Sequence, residues 1–118
     1  MKWSWHQSRE IELPDYVRVV HADYRVQRVG PELLYGEDRY GDCDHTRHVI
    51  RVVTGGISPQ AIVETLWHEV LHASCHVIAF DKDDEESLVS RLAPVQLAVL
   101  RDNPELTKLL NKYCSGDI

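Results

Sequence analysis

Cysteine is scarce in this chain: Cys43, Cys75 and Cys114 lie far apart, are odd in number and include no CxxC pair. That excludes a disulfide framework and a thiolate zinc knuckle, and a reducing cytoplasm is the expected setting. Basic stripes are missing too. The formal charge is -6 with histidines neutral, which argues against a nucleic-acid groove or an anionic membrane surface as partner. No apolar stretch approaches the roughly 18 residues of a membrane span. The opening Met1-Lys2-Trp3-Ser4-Trp5-His6 is not followed by a long apolar run, so it reads as neither signal peptide nor anchor. Internal repeats, low-complexity segments and domain linkers are absent. Gly55-Gly56 lacks the Walker residues that a phosphate cradle requires.

What remains is an ordinary globular composition, 43% hydrophobic and 27% charged, which makes residues 1–118 one domain able to bury its own core. Trp3 and Trp5 are expected to dock on that core. Alternating valines over Tyr16–Val20 and Tyr24–Val29 predict two short strands or one bent one. Gly30-Pro31 turns the chain, and residues 31–45 read as a loop with one short strand around Tyr40. Thr46–Val53 is the strongest strand pattern, rich in β-branched residues. Ser58-Pro59 then opens a helix, with Ser as cap and Pro where no hydrogen bond is lost. Ile62, Leu66, Val70, Ala73 and Val77 give it one apolar stripe running to about Val77 or Ala79. A second helix follows, capped by Asp83 or Asp84, with Val89, Leu92, Ala93 and Leu97 as its inner face and a break or kink at Pro94. Asn103-Pro104 starts a last helix ending near Tyr113. The expected fold is α+β: a short, mostly antiparallel sheet packed against two principal helices.

The first helix carries His68-Glu69-Val70-Leu71-His72. Residues four apart share a helical face with Cβ atoms about 5–6 Å apart, so both imidazoles can converge on one ion. Glu69 sits where a carboxylate addresses a water on that ion rather than the ion itself. A hydrolytic zinc site takes three protein ligands and leaves one position open. His76 lies about 12 Å along the axis from His68, at about 1.5 Å per residue, too far to join bonds of about 2 Å. Packing, a supporting hydrogen bond or substrate contact suits it better. A carboxylate on the next helix fits, either Glu85 or Glu86. Glu86 is preferred because Val89 and Ala93 would share its inward side and Ser90 could support it.

These residues resemble the small gluzincin-type metallopeptidases related to the ImmA/IrrE group and to minimal phage-encoded zinc proteins. The match lies in His68-Glu69-Val70-Leu71-His72 and in Glu86-Ser87-Leu88-Val89-Ser90-Arg91-Leu92-Ala93, within about residues 46–93. The resemblance implies a zincin-like domain with Zn²⁺ held by His68, His72 and Glu86 and with Glu69 as general base. His76 matches a histidine often found there in those families. The chain departs from them at Leu71, where many have glycine, and it has no separate helix-turn-helix domain, so cleavage of a regulator is not implied.

Other metal-capable residues, Asp42-Cys43-Asp44-His45 and His48, read as structural or solvent-facing. Tyr35 and Tyr40 are weak candidates for stabilising an oxyanion. The leading expectation is hydrolysis of a peptide or protein substrate, aligned along the edge of the Thr46–Val53 strand. A zinc-stabilised interaction module without catalysis is the alternative, and activated water would equally serve a non-peptide substrate.

Overall fold

Val17 and Val19 are buried while Tyr16 and Arg18 point outward, the alternation of a strand with one face covered. This is β1, Tyr16–Val19. A tight turn at Val20 and His21 returns the chain as β2, Ala22–Val29, whose Ala22 and Tyr24 continue the buried face. The computed structural model describes residues 11–31, 40–78 and 85–114. Trp3, Trp5, Tyr35, Asp83 and Asp84 lie outside them.

The sheet is completed by β3, Gly41–Asp44, and β4, Val49–Val53, in the order β1-β2-β4-β3. β4 runs parallel to β2 and antiparallel to β3, and β1 is antiparallel to β2. The sheet is therefore mixed, with antiparallel pairs in the majority. The short strand expected near Tyr40 is β3. The expected Thr46–Val53 strand is shorter, because residues 45–48 form a turn. The Asp44 carboxylate organises that turn by accepting from the N–H groups of Thr46 and Arg47 at 3.0 Å each. Those bonds, Arg47's first, hold Asp44 below the usual carboxylate range. A larger correction concerns the sheet edge. β4 lies between β2 and β3, so it has no edge on which to align a substrate. Its apolar residues explain the placement, since Ile50, Val52 and Val53 are almost wholly buried.

Helix α1, Pro59–Val77, crosses one face of the sheet. Ser58 caps it, accepting from the Ala61 N–H at 3.2 Å, and Pro59 occupies the first turn. Ile62, Leu66, Val70 and Ala73 are completely buried against Val17, Val19, Ile50 and Val52. Helix α2, Glu85–Asp102, runs without interruption through Pro94. Its inner face differs from the expectation. Val89, Ala93 and Leu97 are exposed, whereas Leu88, Leu92 and Val95 are half-buried and Val99 is buried. The register that carries 88, 92, 95 and 99 inward leaves the exposed Glu86 off the inner face. Gln96 donates to Ser74 Oγ at 2.7 Å, Ser74 in turn donates to the Val70 carbonyl at 2.9 Å, and Arg91 reaches the Ile78 carbonyl. α1 and α2 are therefore antiparallel.

Asn103 separates α2 from α3, Pro104–Cys114, and does more than end a helix. Its Oδ1 accepts from the Arg18 N–H at 2.8 Å, while its Nδ2 donates to the carbonyls of Arg18 at 2.8 Å and Val99 at 2.7 Å. The amide thus pairs with β1 much as another strand would, protecting that sheet edge. Asn103→Asp keeps the shape but removes both donations and sets a carboxylate against two carbonyls. We expect it to destabilise the fold by about 2–4 kcal/mol, read from urea unfolding midpoints; an unchanged midpoint would refute this role. Among the described residues, no helix is long and apolar enough to cross a membrane.

Candidate metal centre

Placing β4 inside the sheet leaves β3 as the terminal strand on that side among the described residues, directly beside α1. A cleft of about 640 Å³ opens between them. Its α1 wall includes Thr65, His68, Glu69 and His72, and its β3 wall runs from Tyr40 through Cys43 to His45. Among the described residues that line it there is no Lys or Arg, a lining that suits a cation.

The Nε2 atoms of His68 and His72 are 3.2 Å apart, with their ring planes at 70°. Two nitrogens on one tetrahedral zinc, each bonded at about 2.0–2.1 Å, stand about 3.3 Å apart. The pair therefore has the bite of two zinc ligands. The same spacing suits one proton shared between a donor and an acceptor nitrogen. Both rings are exposed and can take up a metal in exchange for that proton.

Glu69 is only 6% exposed, which separates it from the two histidines that flank it in sequence. A side chain at position 69 points from the helix toward β3, and Gly41 makes room for it. A Cβ on Gly41 would lie 3.3 Å from Glu69 Oε2, 2.7 Å from Thr65 Cγ2 and 2.9 Å from the Arg51 carbonyl oxygen. Glycine is thus required by close approach of strand to helix. Gly41→Ala is expected to destabilise the protein by about 1–3 kcal/mol and to displace β3 from Glu69. Thermal unfolding of Gly41→Ala and of Gly41→Ala/Thr65→Ser checks this. Trimming Thr65 should recover part of the loss but not all, because the Arg51 carbonyl remains; full stability in the single variant would contradict the packing argument.

Two other cleft residues are tuned by the same neighbourhood. Burial, and then the negative charge of Glu69, push the Cys43 thiol up to about 12, so without a metal it stays protonated near neutral pH. Asp42 is engaged by Arg51, whose Nε donates to its Oδ1 at 2.8 Å.

Glu86 stands apart. It is exposed at the start of α2, accepts from Ser90 Oγ at 3.4 Å and does not line the cleft. Because Gln96 meets Ser74 and Arg91 meets Ile78, the start of α2 extends past the end of α1. Among the described residues, no three His, Cys, Asp or Glu side chains gather in a way that could hold a metal. His76 is not among the residues lining the cleft; its ring stacks on His45 at 4.3 Å and 5°. Packing is therefore its observed role.

His45 belongs to the cleft, against the expectation that the Asp42–His48 run is merely structural or solvent-facing. The signal was the strand alternation, which puts Gly41, Cys43 and His45 on the face toward α1 once β3 is recognised. Of its neighbours, Asp44 shapes the turn, and His48, at φ 58°, lies against the Tyr24 ring at 4.9 Å. Tyr40 lines the cleft but is 56% exposed. No family model, curated protein or solved structure matches the chain.

Proposed function

We propose that this chain is a zinc-dependent peptidase. The observation that carries the reading is the 3.2 Å separation of His68 and His72 Nε2 in one cleft with a buried glutamate between them in sequence. His68 and His72 hold the metal, and Glu86 is the proposed third donor. Its carboxylate is exposed and accepts from Ser90 Oγ at a long 3.4 Å, and reaching the pair would require the start of α2 to move toward the cleft. Zinc held there would supply Lewis acidity to substrate and water. Glu69 would be the carboxylate that takes up a proton from the attacking water and returns one to the leaving amine. Its burial beside β3 holds it in place and keeps bulk water from competing.

β3 replaces the Thr46–Val53 strand as the element that aligns a substrate. An extended peptide beside β3 would gain main-chain hydrogen bonds and pass the His68–His72 pair. The proposal is tested by incubating zinc-loaded protein with a broad peptide library and identifying cleaved bonds by mass spectrometry. Cleavage abolished by chelation and restored by zinc is expected; a fully loaded protein that cuts nothing would support the competing reading. That reading, a zinc-stabilised interaction module, draws on one observation, the position of Glu86 outside the cleft.

A further inference from the structure

His45 sits on the opposite wall of the cleft from His68 and His72, at the end of β3. Its Nδ1 is 3.3 Å from the Tyr24 hydroxyl oxygen and 3.6 Å from Cys43 Sγ. The ring is clamped on its face by His76, 4.3 Å away and within 5° of parallel. Parallel stacked imidazoles direct their in-plane lone pairs along separate planes, so His45 and His76 do not converge on a second metal.

The chemistry around Nδ1 selects a tautomer. A phenol O–H is a good donor to an imidazole nitrogen, whereas a phenol oxygen is a poor acceptor for an imidazole N–H. Tyr24 keeps its proton, since burial raises its pKa to about 12. Nδ1 is therefore the acceptor and Nε2 carries the hydrogen. Burial, then the nearby His76 and His72, lower the pKa of His45 and keep it neutral. The result is a preorganised neutral donor in a cleft whose other wall holds the pair and Glu69.

We propose that His45 is a substrate-contacting catalytic residue, donating from Nε2–H to the carbonyl oxygen of a bound peptide as that oxygen gains negative charge, with Tyr24 as its positioning residue. This rests on the peptidase reading. It asks of His45 what an oxyanion-hole donor does: a hydrogen bond stronger in the transition state than in the ground state.

The test uses the full chain loaded with zinc. Nitrogen-15 NMR of the histidine rings should show His45 with hydrogen on Nε2, and Tyr24→Phe should shift it toward the other tautomer. A phosphinic peptide built on a sequence the enzyme cleaves mimics the charged oxygen, while the matching reduced-amide peptide has no oxygen there. His45→Ala should lose on the order of 100-fold in affinity for the first, bind the second like the parent, and keep its zinc. Equal phosphinic affinity in parent and variant, hydrogen on Nδ1 of His45, or loss of zinc from His45→Ala would each overturn the proposal. A parent chain that takes up no zinc overturns the peptidase reading as well, so the two failures are distinguishable.

Discussion

Replacing either His68 or His72 with alanine is expected to lower zinc affinity by well over 100-fold while leaving the fold intact. Outer-sphere partners of metal ligands alone are worth about 10- to 100-fold in affinity, and a directly bonded nitrogen contributes more. Both imidazoles are exposed, so truncation opens no cavity and leaves no buried polar group unpaired. Competition against a chelator of known affinity gives the zinc constant, and circular dichroism gives the fold. A His68→Ala or His72→Ala protein that holds zinc like the parent would remove the metal centre from this cleft. Run beside them, Glu86→Gln should also weaken retention, because an amide oxygen is a poorer zinc partner than a carboxylate. Glu85→Gln is the necessary companion, since Glu85 is the other carboxylate the sequence offers at the start of α2. If only Glu85→Gln loses zinc, the third ligand moves by one residue. If neither does, the third donor lies elsewhere.

Glu69→Gln is expected to separate catalysis from binding. The amide is nearly isosteric and fits beside Gly41, so zinc content should remain close to that of the parent. It cannot accept a proton from water, and loss of a general base costs about 10²- to 10⁴-fold in rate. Turnover of a peptide cleaved by the parent, measured at equal zinc loading, gives the result directly. Full activity in Glu69→Gln would remove this residue from the chemistry, and loss of zinc would make it a ligand instead. The Cys43 thiol offers a control. Cys43→Ser should retain zinc, because Cys43 is not among the proposed donors His68, His72 and Glu86.

Much of this architecture is legible along the chain because its causes are local. The spacing of Ile62, Leu66, Val70 and Ala73 specifies a helix with one buried stripe. Ser58 and Pro59 fix where that helix starts, and it begins at Pro59. The same periodicity places His68 and His72 on one face and close enough for their nitrogens to stand 3.2 Å apart. Alternating valines likewise determine β1 and β2. These features depend on residues within a turn or two of each other.

Two expectations fail where the answer depends on distant residues. Thr46–Val53 has the composition of a strand but not the information to say which strands flank it. β4 pairs with both β2 and β3, and this leaves β3, not β4, at the end of the sheet among the described residues. In α2, the expected stripe of Val89, Leu92, Ala93 and Leu97 is as regular in sequence as Leu88, Leu92, Val95 and Val99, and only Leu92 belongs to both. Contact with β1 and α1, including the Gln96–Ser74 hydrogen bond, selects the second. Glu86 was assigned by the losing stripe, which is why its link to the pair needs the zinc measurement.

The sequence by itself determined most of the elements, the Ser58 cap and the two imidazoles on one helical face, because hydrophobic period and backbone chemistry act over short separations. Tertiary structure alone decided that β3 walls the cleft, that Gly41 admits Glu69, and that His45 meets Tyr24 and His76. Those contacts join residues 21 to 31 positions apart, and strand order and helix docking bring them together.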